Sequence, residues 1–242
     1  MRILVFSDIH ANLTALEAVL EAAGTFDAAW CLGDVVGYGP DPNECIERIR
    51  QIPNLVCLVG NHDAAALGQI NLEVFNKEAR QSAHWMREHL TYDSIQFLEE
   101  LPNRKVIDPV TLVHGSPRNP VWEYILDTNT AAANFSAFDT QFCFIGHSHL
   151  PAAYLCPDAQ AGVTLKMPPV GQVFQLEGRA ILNPGSVGQP RDHDPRAAFA
   201  IFHSDELTWE PMRVEYDIHS VQERIYKAGL PSRHALRLLQ GW

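Results

Sequence analysis

The chain has 242 residues, 46% hydrophobic and 19% charged, an ordinary globular composition with enough length to bury a sizeable core. A formal net charge of −11 excludes general binding to nucleic acid or to anionic membrane, both of which need a basic field. The five cysteines form no C-x-x-C pair, only four apolar residues follow Arg2, and no run reaches membrane-spanning length; a reducing, cytoplasmic location is expected.

Residues 3–6 read as a buried strand that leads into Asp8-Ile9-His10. Asn12 caps a helix over residues 13–20, with Gly24 as its stop. A second apolar run, 29–32, ends at Gly33-Asp34. After a Gly/Pro loop at 37–42, residues 43–52 read as a short amphipathic helix closed by Pro53. The third strand, 55–59, stops at Gly60-Asn61-His62-Asp63. From 64 to 101 the pattern is helical, a segment expected to cover or flank whatever the strand ends build. Strand patterns then dominate at 111–114, 142–145, 152–156, 172–176 and 180–182, followed by a hairpin, 197–203 with 206–216, turning at Ser204-Asp205. Residues 218–239 read as helical with a break at Gly229-Leu230-Pro231. No repeat or linker interrupts the chain, so one domain, 1–242, is expected. The order, βα units first and strands later, predicts an α/β (α+β) chain with two sheets packed together and helices outside.

Five of the strands end in metal-ligand side chains. Together they carry two carboxylates (Asp8, Asp34), one amide (Asn61) and five imidazoles (His10, His62, His114, His147, His149). Open α/β sheets place ligands beyond the carboxyl ends of their strands. On an extended chain residues two apart face the same way, which would pair Asp8 with His10 and His147 with His149. Without His62 the set offers seven ligands, more than one ion takes. Two ions sharing Asp34 would each receive four and keep room for water. Paired divalent ions about 3.5–4 Å apart suit in-line displacement at phosphorus. Four positive charges against two carboxylates leave the site locally cationic, which favours an anionic phosphate substrate. The nitrogen and oxygen donors suit Mn, Fe, Zn, Co or Ni, and manganese is the working expectation.

Asp8-x-His10, Gly33-Asp34-x4-Gly39, Gly60-Asn61-His62-Asp63, His114 and Gly146-His147-x-His149 resemble the calcineurin-like metallophosphoesterase signature. Residues 183–191, Asn-Pro-Gly-Ser-Val-Gly-Gln-Pro-Arg, resemble its small bacterial and archaeal phosphodiesterase branch. The resemblance implies a four-layer αββα sandwich, two mixed sheets flanked by helices. It implies one metal on Asp8, His10, Asp34 and His149, and a second on Asp34, Asn61, His114 and His147. It also implies a catalytic His62 that assists the leaving group while a metal-bridging hydroxide attacks. One departure stands out. The protein Ser/Thr phosphatases of that superfamily carry Asp-Arg where this chain has Gly37-Tyr38, which argues against that activity and leaves the partner that orients His62 unassigned.

Singly, each histidine would more often be an ordinary hydrogen-bonded residue, and Asp34 and Asn61 could be turn formers; the company they keep favours ligation. Arg118, Arg191 and Arg196 are candidates to grip phosphate, and Trp122 or Tyr124 to stack on a nucleobase. Against that, Trp122 could be core packing, and Arg191 and Arg196 could pair with Asp192 or Asp194. The expected activity is hydrolysis of a phosphodiester or a nucleotide phosphoanhydride, dinucleoside polyphosphates included, on a small substrate that could be a nucleotide. A phosphomonoesterase and a non-catalytic interaction protein on the same scaffold are the alternatives. A homodimer is compatible with all three.

Overall fold

The computed structural model describes residues 1–157 and 162–242. The chain opens with β1 (Arg2–Phe6), α1 (Leu13–Ala23), β2 (Ala28–Cys31), α2 (Pro42–Arg50) and β3 (Leu55–Cys57). The side chain of Asn12 accepts from the Ala15 amide at the start of α1, and Gly24 ends the helix at φ 63°. Between those caps Ala15, Leu16, Val19, Leu20 and Ala23 bury one stripe. The long helical region resolves into α3 (Asn61–Ala66), a 3-10 turn at Leu72–Val74, α4 (Lys77–His89) and α5 (Tyr92–Glu99). It begins earlier than the sequence pattern indicates, so Asn61 and His62 occupy the first turn of a helix.

The remainder comprises β4 (Arg104–Ile107), β5 (Val110–Val113), α6 (Thr128–Asn134), β6 (Phe142–Phe144), β7 (Ala152–Cys156) and β8 (Thr164–Lys166). Then come β9 (Phe174–Gln175), β10 (Arg179–Asn183), β11 (Ala197–His203), β12 (Thr208–Val214), α7 (Ile218–Lys227) and α8 (Ser232–Gln240). Among the described residues no helix is long and apolar enough to cross a membrane, and Cys31, Cys45, Cys57 and Cys143 are buried free thiols.

Two mixed six-stranded sheets result, in the orders β3-β2-β1-β11-β12-β9 and β4-β5-β6-β10-β7-β8. Strands β1, β2 and β3 run parallel, as do β5, β6 and β10. Alternation along β1 shows how the layers are built. Ile3 and Val5 point between the sheets, among Trp30, Phe142, Phe144, Phe202 and Trp209. Leu4 and Phe6 point the other way, onto Leu16, Val19 and Ile46 of the helices. On the far side Val113, Cys143 and Ile181 pack against Ala131 and Phe135, where α6 runs into a 3-10 turn. The layers are therefore helix, sheet, sheet, helix, as expected. Each fully buried aromatic in the middle layer contributes about 1.5–3 kcal/mol. That rigid double sheet fixes where the strand ends deliver their side chains.

Candidate metal centre

The chain does not stay extended where it leaves the strands. Asp8, His10, Asp34, His147 and His149 all have positive φ, between 50° and 65°. This corrects the alternation argument: the left-handed backbone at these positions, not an extended chain, aims the paired side chains. Non-glycine residues pay about 1–2 kcal/mol for that region, and such outliers cluster where function over-determines the backbone. Hydrogen bonds hold them: Asp8 N–H to Gly33 O at 3.0 Å, His10 N–H to Asp34 O at 3.0 Å, and Gly188 N–H to Asp8 O at 2.9 Å.

Asp8, His10 and His149 form one group and Asp34, His114 and His147 another; within each, the potential ligand atoms lie within 4.8 Å of one another. His10 Nε2 is 3.0 Å from His149 Nε2, which is 3.3 Å from Asp8 Oδ1. His114 Nε2 is 3.3 Å from Asp34 Oδ2 and 3.1 Å from Asn61 Oδ1. Asp34 Oδ2 also lies 3.7 Å from His10 Nε2, so this carboxylate stands between the groups.

The outer nitrogens explain the inner ones. His10, His114 and His149 turn Nδ1 to the carbonyls of Val36, Leu32 and Gln189, at 3.2, 2.9 and 2.6 Å. A ring that donates through Nδ1 keeps its Nε2 lone pair facing inward, the tautomer a metal ligand needs. His147 is reversed: Nε2 meets Trp122 O at 3.1 Å, which leaves Nδ1 for the site. Asp8 Oδ1 and Asp34 Oδ2 are buried with no hydrogen-bond partner. Leaving such acceptors unsatisfied costs about 1–3 kcal/mol each, more when charged, and two imidazole lone pairs 3.0 Å apart repel. A cation among them resolves every one of these conflicts. The residues present fit divalent metal.

The electrostatics follow from burial. Burial raises the Asp8 carboxyl. Burial would also raise Asp34, but His114, His62 and His10 around it together outweigh that and hold it well below the usual range. Burial lowers His114 as well, yet Asp34 more than reverses it, up to about 9. His10, His147 and His149 are pushed well down by burial, and His62 falls to about 4 for the same reason.

His62 sits on the first turn of α3, its backbone N–H donating to Asp34 Oδ1 at 2.8 Å. Its Nδ1 is buried without a partner. Asp63 does not orient it, because that carboxylate accepts from the amides of Val36 and Gly60 at 3.0 and 2.9 Å. Aromatic packing fixes the ring instead: Tyr38 at 4.3 Å between centroids and Phe75 at 5.1 Å. Gly37 lies so close that a Cβ there would stand 2.7 Å from His62 Nδ1. Two residues of the helical region touch this neighbourhood: Phe75 packs on His62, and the Ser82 hydroxyl accepts from the Tyr38 amide.

The five proposed substrate contacts separate clearly. Arg118 is engaged with Glu123, Nε to Oε2 at 3.2 Å, and Arg196 with Asp194, Nη2 to Oδ2 at 2.6 Å. Trp122 packs edge-on to Phe75 at 5.2 Å, the core role weighed above. Tyr124 stacks on His147 at 3.7 Å and 18°, and is 44% exposed. Arg191 alone among the three arginines faces the cluster. Its Nη2 reaches Gln189 Oε1 at 2.9 Å and Tyr38 Oη at 3.4 Å, and its charge acts on Asp8, His10, His62 and His149.

Two supporting features lie outside the donor set. Residues 183–189 brace the donors: Asn183 Nδ2 donates to Gly146 O at 2.7 Å, and Ser186 Oγ to Asp8 O at 2.9 Å. The Asn-Pro-Gly-Ser turn was the visible signal. His234 of α8 packs on Tyr38 at 4.8 Å, a contact across 196 residues that no local signal announces.

Fold and donor set are those of a metal-dependent hydrolase. The sequence model of the calcineurin-like phosphoesterase superfamily domain matches residues 1–207, and the chain belongs to that superfamily. It is 49% identical to a metallophosphoesterase from Sphaerobacter thermophilus, whose crystal structure superposes with a TM-score of 0.91 over 100% of this chain and 99% of that one. It is 37% identical to the uncharacterized protein MJ0912 of Methanocaldococcus jannaschii, over 99% of this chain and 98% of that protein. The hypothetical protein PH1004 of Pyrococcus horikoshii OT3 shares the fold at 22% identity, TM-score 0.80, over 100% of this chain and 98% of that one. A phosphoesterase of this family acts on a small phosphorylated substrate, and the two Asp/His groups are its candidate divalent-metal ligands.

Proposed function

We propose that the chain is a dinuclear metallophosphoesterase that hydrolyses a phosphodiester or a nucleotide phosphoanhydride. Asp8, His10, Asp34 and His149 hold one divalent ion, and Asp34, Asn61, His114 and His147 the other. The observation that carries this reading is the pair of buried, unpartnered carboxylate oxygens, Asp8 Oδ1 and Asp34 Oδ2, among inward imidazole lone pairs. Two ions bound there supply Lewis-acid charge neutralisation and an ionised water for in-line displacement.

The remaining work falls to the chain. The Nδ1 bonds to backbone carbonyls hold three imidazoles rigid, and burial keeps two of them, His10 and His149, neutral. His62, kept in place by Tyr38, Phe75 and the absence of a side chain at Gly37, buries Nδ1 against Gly37 and leaves Nε2 to serve the departing oxygen, with a proton it takes up once an anionic substrate offsets the burial that otherwise lowers the ring to about 4. Arg191 neutralises a phosphate oxygen, in the role that the Gly37-Tyr38 substitution leaves open. The exposed face of Tyr124, backed by His147, offers an aromatic leaving group a stacking surface. The intact donor set disfavours a non-catalytic scaffold. Elemental analysis after loading with manganese, alongside hydrolysis of bis(p-nitrophenyl) phosphate, tests the reading: about two ions per chain and metal-dependent turnover are expected. A protein that binds no metal refutes it.

A further inference from the structure

Most arginines in the described residues have a carboxylate or backbone carbonyl within reach of the guanidinium; Arg191, Arg237 and Arg50 have neither, and of the three only Arg50, beside Phe97, is exposed. Arg191 makes one good side-chain hydrogen bond, to Gln189, and its Nε is buried and unpartnered. The Arg237 guanidinium makes no hydrogen bond or ion pair among the described residues, its Nε is also buried and unpartnered, and the Trp242 ring lies 5.9 Å from its Cζ. Two unsatisfied guanidinium groups on a chain of net charge −11 call for an anion.

Geometry brings them together at the metal cluster. On α8, His234 touches Tyr38, whose ring packs on His62 and, at 4.7 Å, on His10. Arg237 lies three residues on, along the same helix face. One turn further, the Gly241 carbonyl accepts from His193 N–H at 2.8 Å, beside the loop that carries Arg191. Arg237 is therefore held between Tyr38 and the 191–194 loop, and Arg191 reaches Tyr38 from the other side, its Cζ 5.8 Å from the ring centroid. Burial, and after it the charge of Arg191, lowers the Arg237 guanidinium, so the two cations feel each other. Glu78, the carboxylate whose charge acts on Arg237, pairs with Arg233 at 3.9 Å.

We infer that Arg191 and Arg237 form a second anion subsite next to the metals, built for the neighbouring phosphoryl group of a phosphoanhydride. This rests on the phosphoesterase reading and narrows it, from phosphoester in general to substrates that carry two adjacent phosphates. One phosphoryl group lies on the metal side, beneath His62. The next extends across Tyr38 to the two guanidinium groups.

Calorimetric titration of the manganese-loaded protein with methylenediphosphonate and with methylphosphonate separates the outcomes, since neither is hydrolysed and they differ by one phosphonate. Chelation of buffer metal is common to all variants and cancels in the comparison. Wild type should prefer the bisphosphonate by about tenfold or more, the yield of one charge-assisted contact. In Arg237→Ala that ratio should fall to about two or less, with Arg237→Lys between. Methylphosphonate binding by each variant reports an intact fold. An unchanged ratio in Arg237→Ala, or no preference in wild type, overturns the subsite alone. If wild type binds neither ligand, the phosphoesterase reading falls and the subsite with it.

Discussion

Gly60 is the sharpest point at which to disturb the centre. Its φ of −99° and ψ of 178° are open to any residue, so alanine meets no backbone objection there. The obstacle is Asp34: a Cβ on Gly60 would lie 2.0 Å from Asp34 Oδ1 and 2.4 Å from Asp34 N, where real Cβ contacts keep at least 3.0 Å. The carboxylate between the two groups must therefore retreat by about 1 Å, losing its bond from the His62 amide as it goes. Overpacking of this size costs about 1–3 kcal/mol, or roughly 2–10 °C in melting temperature for a chain of this length. A 1 Å misplacement at the reacting centre costs about 10²-fold in turnover. Gly60→Ala should thus melt lower, bind less metal and lose about 10²-fold in metal-dependent diester hydrolysis. Gly24→Ala supplies the control. There φ is +63° and nothing lies within 4 Å, so strain of about 1 kcal/mol should appear in the melt without change in metal content. Were Gly60→Ala to keep two ions and turnover within about twofold of wild type, the position of Asp34 would not govern the centre.

Three other outcomes follow from named groups. His62→Ala should lose about 10²–10⁴ in turnover on an alkyl diester but far less on an activated aryl one, whose oxygen leaves without a proton; equal losses would remove His62 as the acid. Chelation should lower the melting temperature by about 10–20 °C, since each of two ions at 100 times its dissociation constant contributes about 2.7 kcal/mol; a melt unmoved by chelator and by added manganese contradicts the centre. Burial holds His234 down at about 4, helped by Arg237 and His62 and opposed by the Glu78 carbonyl and carboxylate. Between pH 6.5 and 4 the unfolded chain therefore binds the proton that the fold refuses, and stability falls with pH by up to about 3 kcal/mol. His234→Gln should flatten that slope in urea titrations at pH 7 and pH 4.5, and an identical slope would show that the imidazole is not buried neutral.

What the sequence discloses here depends on how local the cause is. The caps of α1 are written in Asn12 and Gly24 because a cap satisfies neighbouring amides, and the apolar runs of β1, β2, β5 and β6 are legible because both faces of each strand are buried. β4 and β8 gave no such signal. They are edge strands whose Arg104-Lys105-Val106-Ile107 and Thr164-Leu165-Lys166 are mostly exposed, so pairing to β5 and β7, not an apolar pattern, makes them strands. The donor residues were legible as a set, but the backbone that aims them was not, since a left-handed φ at Asp8 or His149 is imposed by hydrogen bonds from chain segments far away, such as Gly188 to Asp8. The same logic explains the rim. Arg118 is taken by Glu123 and Arg196 by Asp194, the pairing its sequence neighbourhood allowed, whereas no motif singles out Arg237. A guanidinium becomes a binding group by lacking a partner within the fold, and only assembly of the distant elements around Tyr38 decides which arginines remain without one.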